Sequence, residues 1–167
     1  MSVFKTTFSR ALRAIPSDNA DIPYPTVITS GTNTAATSNS FEDSTATFIA
    51  DNIKTGDIVY NTSNSASATV VEVIGDNNLI LNADIFGDSG QEYIIYQASS
   101  QTGLGNQGCY LYIGDVPEGG GAINVTTIGG DIVVFNGISS GTILPVQVIK
   151  LHAAETSVNA DKIRALW

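Results

Sequence analysis

The sequence predicts an all-β protein: a β-sandwich or barrel-like core that carries an inserted small β-barrel module and a short N-terminal helix or arm. Three observations predict this class. Apolar residues make up 43% of the 167, enough for a core, while only 14% are charged and the polar remainder is carried by Ser, Thr, Asn and 16 Gly. That mix favours strands and turns over long helices. Short apolar runs recur at roughly ten-residue spacing, as in β-sandwiches and small barrels. The turns between them are rich in glycine, for example 117–121 and 129–130. The length fits one domain, or one domain with an insertion.

Each element follows from its residues. Phe4, Phe8, Ala11, Leu12 and Ile15 fall at helical spacing, with Lys5, Arg10 and Arg13 mostly off that stripe. They predict a short amphipathic helix, or an arm that orders on a partner. Residues 16–18 stop it, and Pro23 and Pro25 force an extended path. Residues 26–29 read as a strand. Residues 30–40 contain only Ala as an apolar type and read as an exposed loop or linker.

Residues 41–97 hold five strand signals, at 45–49, 57–60, 68–74, 79–81 and 92–96, with a four-residue turn at 75–78. They are expected to curl into the inserted barrel. Residues 98–108 form a second polar stretch. Strands resume at 109–113, 122–126, 131–135 and 144–151. Residues 159–167 read as a last helical turn or a terminal strand. The anchoring core is therefore 1–40 plus 98–167, and the inserted module is 41–97.

The chain has one Cys, one His and one Met. One Cys excludes an internal disulfide, and this set excludes multi-Cys and His-rich metal centres within one chain. Gly103, Gly105 and Gly108 match the dinucleotide fingerprint, but a strand pattern follows where the motif needs a helix to meet the pyrophosphate. Gly-Asp recurs five times, as turn chemistry predicts. Asp84 and Asp88 are the candidates for a structural cation, without the spacing of an EF-hand loop. The adjacent pair Glu42 and Asp43 reads as a solvated turn. Cys109 lies within an apolar strand and reads as a small buried hydrophobe. His152, at a strand end, reads as structural or interfacial. No cofactor, metal or catalytic residue is expected.

The net charge of −9 argues against nucleic acid as a partner. No segment approaches the roughly 18 apolar residues of a membrane span, so no membrane partner is expected. The N-terminus lacks the apolar centre of a signal peptide, which suggests synthesis and assembly in the cytosol. Between residues 15 and 149 the only base is Lys54, whereas the two ends are slightly basic. Such ends are either solvated or meet an acidic surface on a neighbour, such as another copy of the body. Trp167, after Ile163 and Leu166, is expected to dock against its own core or a neighbouring subunit. Pro145 lacks an N–H and marks a strand start or an edge, and edges invite pairing with a neighbour. Phe4, Phe8, Leu12, Pro145 and Trp167 are the candidate interface residues.

Two stretches carry a resemblance. One is Arg10-Ala-Leu-Arg-Ala-Ile-Pro-Ser-Asp18, running to Asp21-Ile-Pro23. The other is Gly141-Thr-Ile-Leu-Pro-Val-Gln-Val148, with the ending Ile163-Arg-Ala-Leu-Trp167. Together with Leu111-Tyr-Ile-Gly114 and Asp131, they resemble the spike base proteins of tailed phages and phage-like gene transfer agents. Residues 41–97 resemble the small β-modules of marine phage and cyanophage structural proteins. The resemblance implies a non-enzymatic virion protein, a homo-oligomeric spike base or head-surface attachment protein. Its implied partners are the major capsid protein and fibre or neck/tail proteins. A tail, collar or baseplate component is one alternative. A capsid decoration or a glycan- or protein-binding module is another; exposed Tyr60, Tyr93 or Tyr96 would favour the binding module, because aromatic faces stack on sugars.

Overall fold

The computed structural model describes residues 7–167, which form fourteen strands, two single 3-10 turns and no α-helix. Every strand pairing is antiparallel. Two lobes result, meeting at a seam.

The chain begins with β1 (Ala11–Arg13) and leaves for the second lobe through β2 (Val27–Thr32), β3 (Ala35–Thr37), β4 (Ser40–Glu42), β5 (Ile58–Asn61), β6 (Ala66–Gly75), β7 (Asn78–Leu81) and β8 (Glu92–Tyr96). It returns through β9 (Tyr110–Ile113), β10 (Gly121–Thr127), β11 (Ile132–Ile138), β12 (Thr142–Ile143), β13 (Val148–Leu151) and β14 (Ile163–Leu166). The first lobe stacks a four-stranded sheet, β1-β14-β9-β12, on a three-stranded one, β11-β10-β13. Between them lie Leu111, Ile113, Ile123, Val125, Leu151, Ile163 and Ala165, all essentially buried. The inward residues alternate along β9, β10 and β14, as a sandwich requires.

The helix expected at the N-terminus is corrected. From Thr7 onward the segment is extended, and β1 pairs with β14 (Ala11 with Leu166, Arg13 with Arg164). A strand outcompetes the helix because β14 offers an open ladder, and a lone helix this short is marginal in water. Phe4 lies outside the described residues. At the other end both readings hold in sequence: a 3-10 turn at Ala160–Lys162, capped by the Asn159 side chain, runs straight into β14.

Pro145 corrects a second expectation. The run 144–151 is not one strand, because β12 belongs to one sheet and β13 to the other. Pro145 sits exposed in the crossover between them. A residue that cannot donate to a ladder is tolerated where the chain changes sheets.

The second lobe is one seven-stranded sheet in the order β2-β8-β5-β6-β7-β4-β3. Residues 30–40, expected as a linker, are largely strand here, and β2 pairs with β8 along Val27–Thr32. Thr suits strands, and the small residues of this run let the edge approach closely. A Cβ on Gly31 would fall 2.5 Å from Asp43 Oδ2 and 2.7 Å from the Tyr93 hydroxyl. Only Asn33 and Thr34 separate β2 from β3, yet these strands stand at opposite ends of the sheet order. The sheet must therefore curl back until its edges are neighbours. Its ladder stays open between β2 and β3 among the described pairings, so it is a curled sheet and not a closed barrel.

The curl is made by β6. Its first half pairs with β5 and its second half with β7, with bulges after Val70 and Val73. Bulges bend and twist a strand, which lets one strand serve two walls. The β6–β7 connection is tighter than expected, with only Asp76 and Asn77 between the paired residues Gly75 and Asn78.

The strand expected at 45–49 is instead a series of turns. Asp43 Oδ1 accepts from the Thr45 N–H at 2.9 Å and the Thr45 hydroxyl at 2.7 Å. Such a local Asx turn competes with the ladder and wins. Phe48 still reaches the core, joining Phe41, Phe86 and Tyr93 in an aromatic cluster.

The seam buries Ile15, Ala20, Ile58, Tyr60 and Tyr96. It is also hydrogen-bonded. The Ser17 hydroxyl donates to Ser67 O at 3.1 Å, and Asn82 Nδ2 donates to Asn19 O at 2.6 Å.

Candidate functional site

The candidate interface residues partly converge. Strand β14 is central, flanked by β1 and β9, so it brings the two ends of the chain together. The Trp167 carbonyl accepts from the Ser9 N–H at 2.6 Å, and the Trp167 N–H donates to Arg10 O at 3.0 Å. Phe8 packs on Tyr110 with ring centroids 5.6 Å apart, and Trp167 meets Tyr24 edge-on at 6.0 Å. Beside them lies a groove of about 250 Å³, lined by Phe8, Tyr110, Leu166 and Trp167 with Gln107 and Gln147. The Trp167 indole N–H is buried with no partner among the described residues. Leu12 packs instead into the seam core, and Pro145 stands apart on the crossover.

Arg10, Arg13 and Lys150 are engaged within the chain. Arg10 lies over the Tyr24 ring at 5.4 Å and also contacts Pro25 O and the Thr26 hydroxyl, each at 3.3 Å. Arg13 pairs with Asp161 at 2.8 Å and bonds the Ser65 hydroxyl across the seam at 3.0 Å. Lys150 meets Asp21 at 3.4 Å. These pairs are solvent-exposed on at least one side, so each contributes little to stability. They do order the strands that carry them.

A second cleft, about 310 Å³, lies at the seam between Asn19, Asp21 and Lys150 on one lobe and Gly56, Ile58 and Thr69 on the other. Its walls are polar and carry no paired nucleophile and base. Nearby, Asp57 Oδ1 accepts from the Ala98 N–H and from Gln101 Nε2, both at 3.0 Å, and Oδ2 accepts from the Lys54 N–H at 2.8 Å. Burial pushes its carboxyl up despite these donors. This carboxylate closes a loop and borders a polar cleft of about 200 Å³ shared with Asp51, Lys54, Gln97 and Gln101.

Cys109 and His152 are not brought into a pair. Cys109 is buried, its Sγ lies 3.6 Å from Val148 O, and burial pushes the thiol up, so the thiolate is suppressed. His152 Nε2 lies 2.8 Å from the Thr126 hydroxyl, and Nδ1 lies 3.3 Å from Asp18 Oδ1. Hydroxyl, imidazole and carboxylate thus stand in relay order. Asp18 Oδ1 also faces the Ala153 N–H at 3.2 Å, so the group ties residues 16–21 to the end of β13.

Gly103, Gly105 and Gly108 are followed by β9 and not by a helix, so no helix N-terminus stands there for a phosphate. Among the described residues no group of three or more His, Cys, Asp or Glu is placed to hold a metal, around Asp84 and Asp88 or elsewhere. No helix of the described residues is long and apolar enough to cross a membrane.

Glu42 and Asp43 do not form a solvated turn. Asp43 is buried and accepts from the Tyr93 hydroxyl at 2.8 Å. Burial pushes its carboxyl up, but the Thr45 hydroxyl and N–H and the Tyr93 hydroxyl outweigh this and hold it below the usual carboxylate value. Its ionised form therefore stabilises the fold at neutral pH. That contribution is complete above the unfolded-state value, about pH 4, and is lost as pH falls through the lower folded-state value. In Asp43→Asn the urea midpoint should lie below wild type at neutral pH and fall less on acidification below about pH 4. Parallel pH profiles for the two proteins would contradict this role.

Tyr60, Tyr93 and Tyr96 are 4%, 2% and 7% exposed. The exposed stacking surface that would favour the glycan-binding alternative is therefore missing from them. No family model, curated protein or solved structure matches the chain.

Proposed function

We propose that the protein is a non-enzymatic structural component of a phage virion, a homo-oligomeric spike base or head-surface attachment protein. One observation carries this reading. The short motifs of the family resemblance are scattered over about 150 residues of chain, yet four of them supply the four strands of one sheet. Residues 10–23 give β1, 111–114 give most of β9, 141–148 give β12 and 163–167 give β14. Short motifs that match by chance have no reason to share a sheet.

The polar chemistry of the chain supports the same reading. Its Cys and its His serve the core and a loop, and Asp43 and Asp57 hold turns. A tail, collar or baseplate position is the second reading, since the same sheet suits any repeated seat.

The test is the solution mass of the full chain by light scattering, with immunogold labelling of particles from the source lysate. A closed oligomer and labelled heads support the proposal. Labelled tails move it to the second reading. A monomer together with unlabelled particles overturns it.

A further inference from the structure

Each sheet edge offers unpaired N–H and C=O groups to another strand, and proteins normally blunt such edges. Most edges here are blunted. β1, β3 and β12 are two or three residues long. β2 is longer but holds Thr29, Ser30, Gly31 and Thr32. β13 is covered by the N-terminal segment, where the Ser17 N–H donates to Leu151 O and the Ile22 N–H to Ile149 O, both at 2.8 Å.

β11 is the exception along Ile132–Phe135; its one irregularity falls at Asn136 and Gly137, where the register with β10 shifts and Gly137 has φ +68°. It runs seven residues, Ile-Val-Val-Phe-Asn-Gly-Ile, with no charged residue, and among the described residues it pairs only with β10. No charge occurs anywhere between Asp131 and Lys150, in a chain of net charge −9. Ile132 is 67% exposed, and Val133, Val134 and Phe135 are each half-buried. The register places Phe135 and Val133 on the face of Ile123 and Val125, so the first-lobe core reaches the open edge there. The Thr127 N–H donates to Asp131 O. Hydrogen-bonded pairs alternate in an antiparallel ladder, so the N–H and C=O of Ile132 and Val134 point away from β10.

We infer that β11 is a self-pairing strand: two copies of this chain join antiparallel along it, about a two-fold axis near Val134. The charge pattern selects a second copy as the occupant. Antiparallel self-pairing sets the two Asp131 carboxylates six residues apart along the ladder, about 20 Å. That exceeds the Debye length of about 8 Å in physiological salt, so the edge meets its own image without local repulsion. The result is a continuous six-stranded sheet, with Ile132 of each copy opposite Asn136 of the other. Such a contact is isologous and closes on itself. This inference rests on the homo-oligomeric reading above and names its surface.

Light scattering on wild type, Val134→Lys and Ile132→Lys tests it, with circular dichroism as the fold control. Ile132 is exposed, so its substitution leaves the core intact. The expected result is an oligomer in wild type whose mass falls to 17.4 kDa, or to a smaller even fraction of the assembly, in both variants. Val134→Cys should also cross-link on oxidation, since facing residues in a hydrogen-bonded pair lie about 5.5 Å apart, within disulfide range. A wild-type oligomer unchanged in folded variants, with no cross-link, overturns the assignment of β11 and leaves the homo-oligomeric reading standing. A wild-type monomer overturns both.

Discussion

Phe41→Ala should lower stability by about 3–5 kcal/mol, the range for emptying a buried aromatic site. Phe41 is 1% exposed on β4, with its ring stacked on Phe86 at 4.6 Å and tilted against Tyr93 at 5.1 Å and Phe48 at 5.8 Å. The cavity would open where the curled sheet brings β4 and β7 over the turns of residues 43–53. Those turns hold Phe48 in place, so the site has little freedom to collapse. Urea unfolding followed by circular dichroism would show the shift in midpoint. A change under about 1 kcal/mol, typical of a surface site, would mean that the lobe is not organised around this ring.

Deleting residues 163–167 should abolish folding of the first lobe. Among the described residues β14 is the only ladder partner of β1 and one of two for β9, and it contributes the fully buried Ile163 and Ala165. Removing a central strand strips two ladders and one wall of the core at once. That loss is comparable to the entire stability of a typical domain, about 5–15 kcal/mol. Limited trypsin digestion would report it, because the backbone around Arg10 and Arg13 loses its ladder with β14 and only side-chain contacts remain to hold it. Rapid cleavage there in the truncated chain, against protection in the intact one, is the expected result. Equal protection in both would show that β1 has another anchor.

The sequence made the class legible because its signals are local. Alternation at 68–74, 122–126 and 131–135 and glycine turns between apolar runs each depend on near neighbours, and each became a strand or a turn. What was hidden depended on distant partners. The helical stripe from Phe4 to Ile15 shows its period in the sequence, but the open ladder of β14 lies some 150 residues away and decides the outcome over Ala11–Arg13. Residues 30–40 look like linker because the large groups that complement them, Tyr93 and Phe41, belong to other strands. Asp43 looked solvated until the curl of the sheet placed Tyr93 over it. Size and position near the ends single out Phe8 and Trp167, which the structure brings side by side, but carry no hint of the proposed β11 contact. Its signal was present in the sequence as the long uncharged run after Asp131.

The pairing of β1 with β14 also sets how the molecule carries load. The strands run antiparallel, so the start of β1 and the end of β14 lie at the same end of the ladder, where Trp167 bonds Ser9 and Arg10. The rungs of such a ladder lie across the strands. Tension that draws the two ends apart therefore meets one rung at a time and peels the sheet open like a zip. Tension that enters through both ends together is shared by every rung and by the packed wall behind them. The molecule is mechanically directional: weak when its ends are separated, and strong when they are gripped as one.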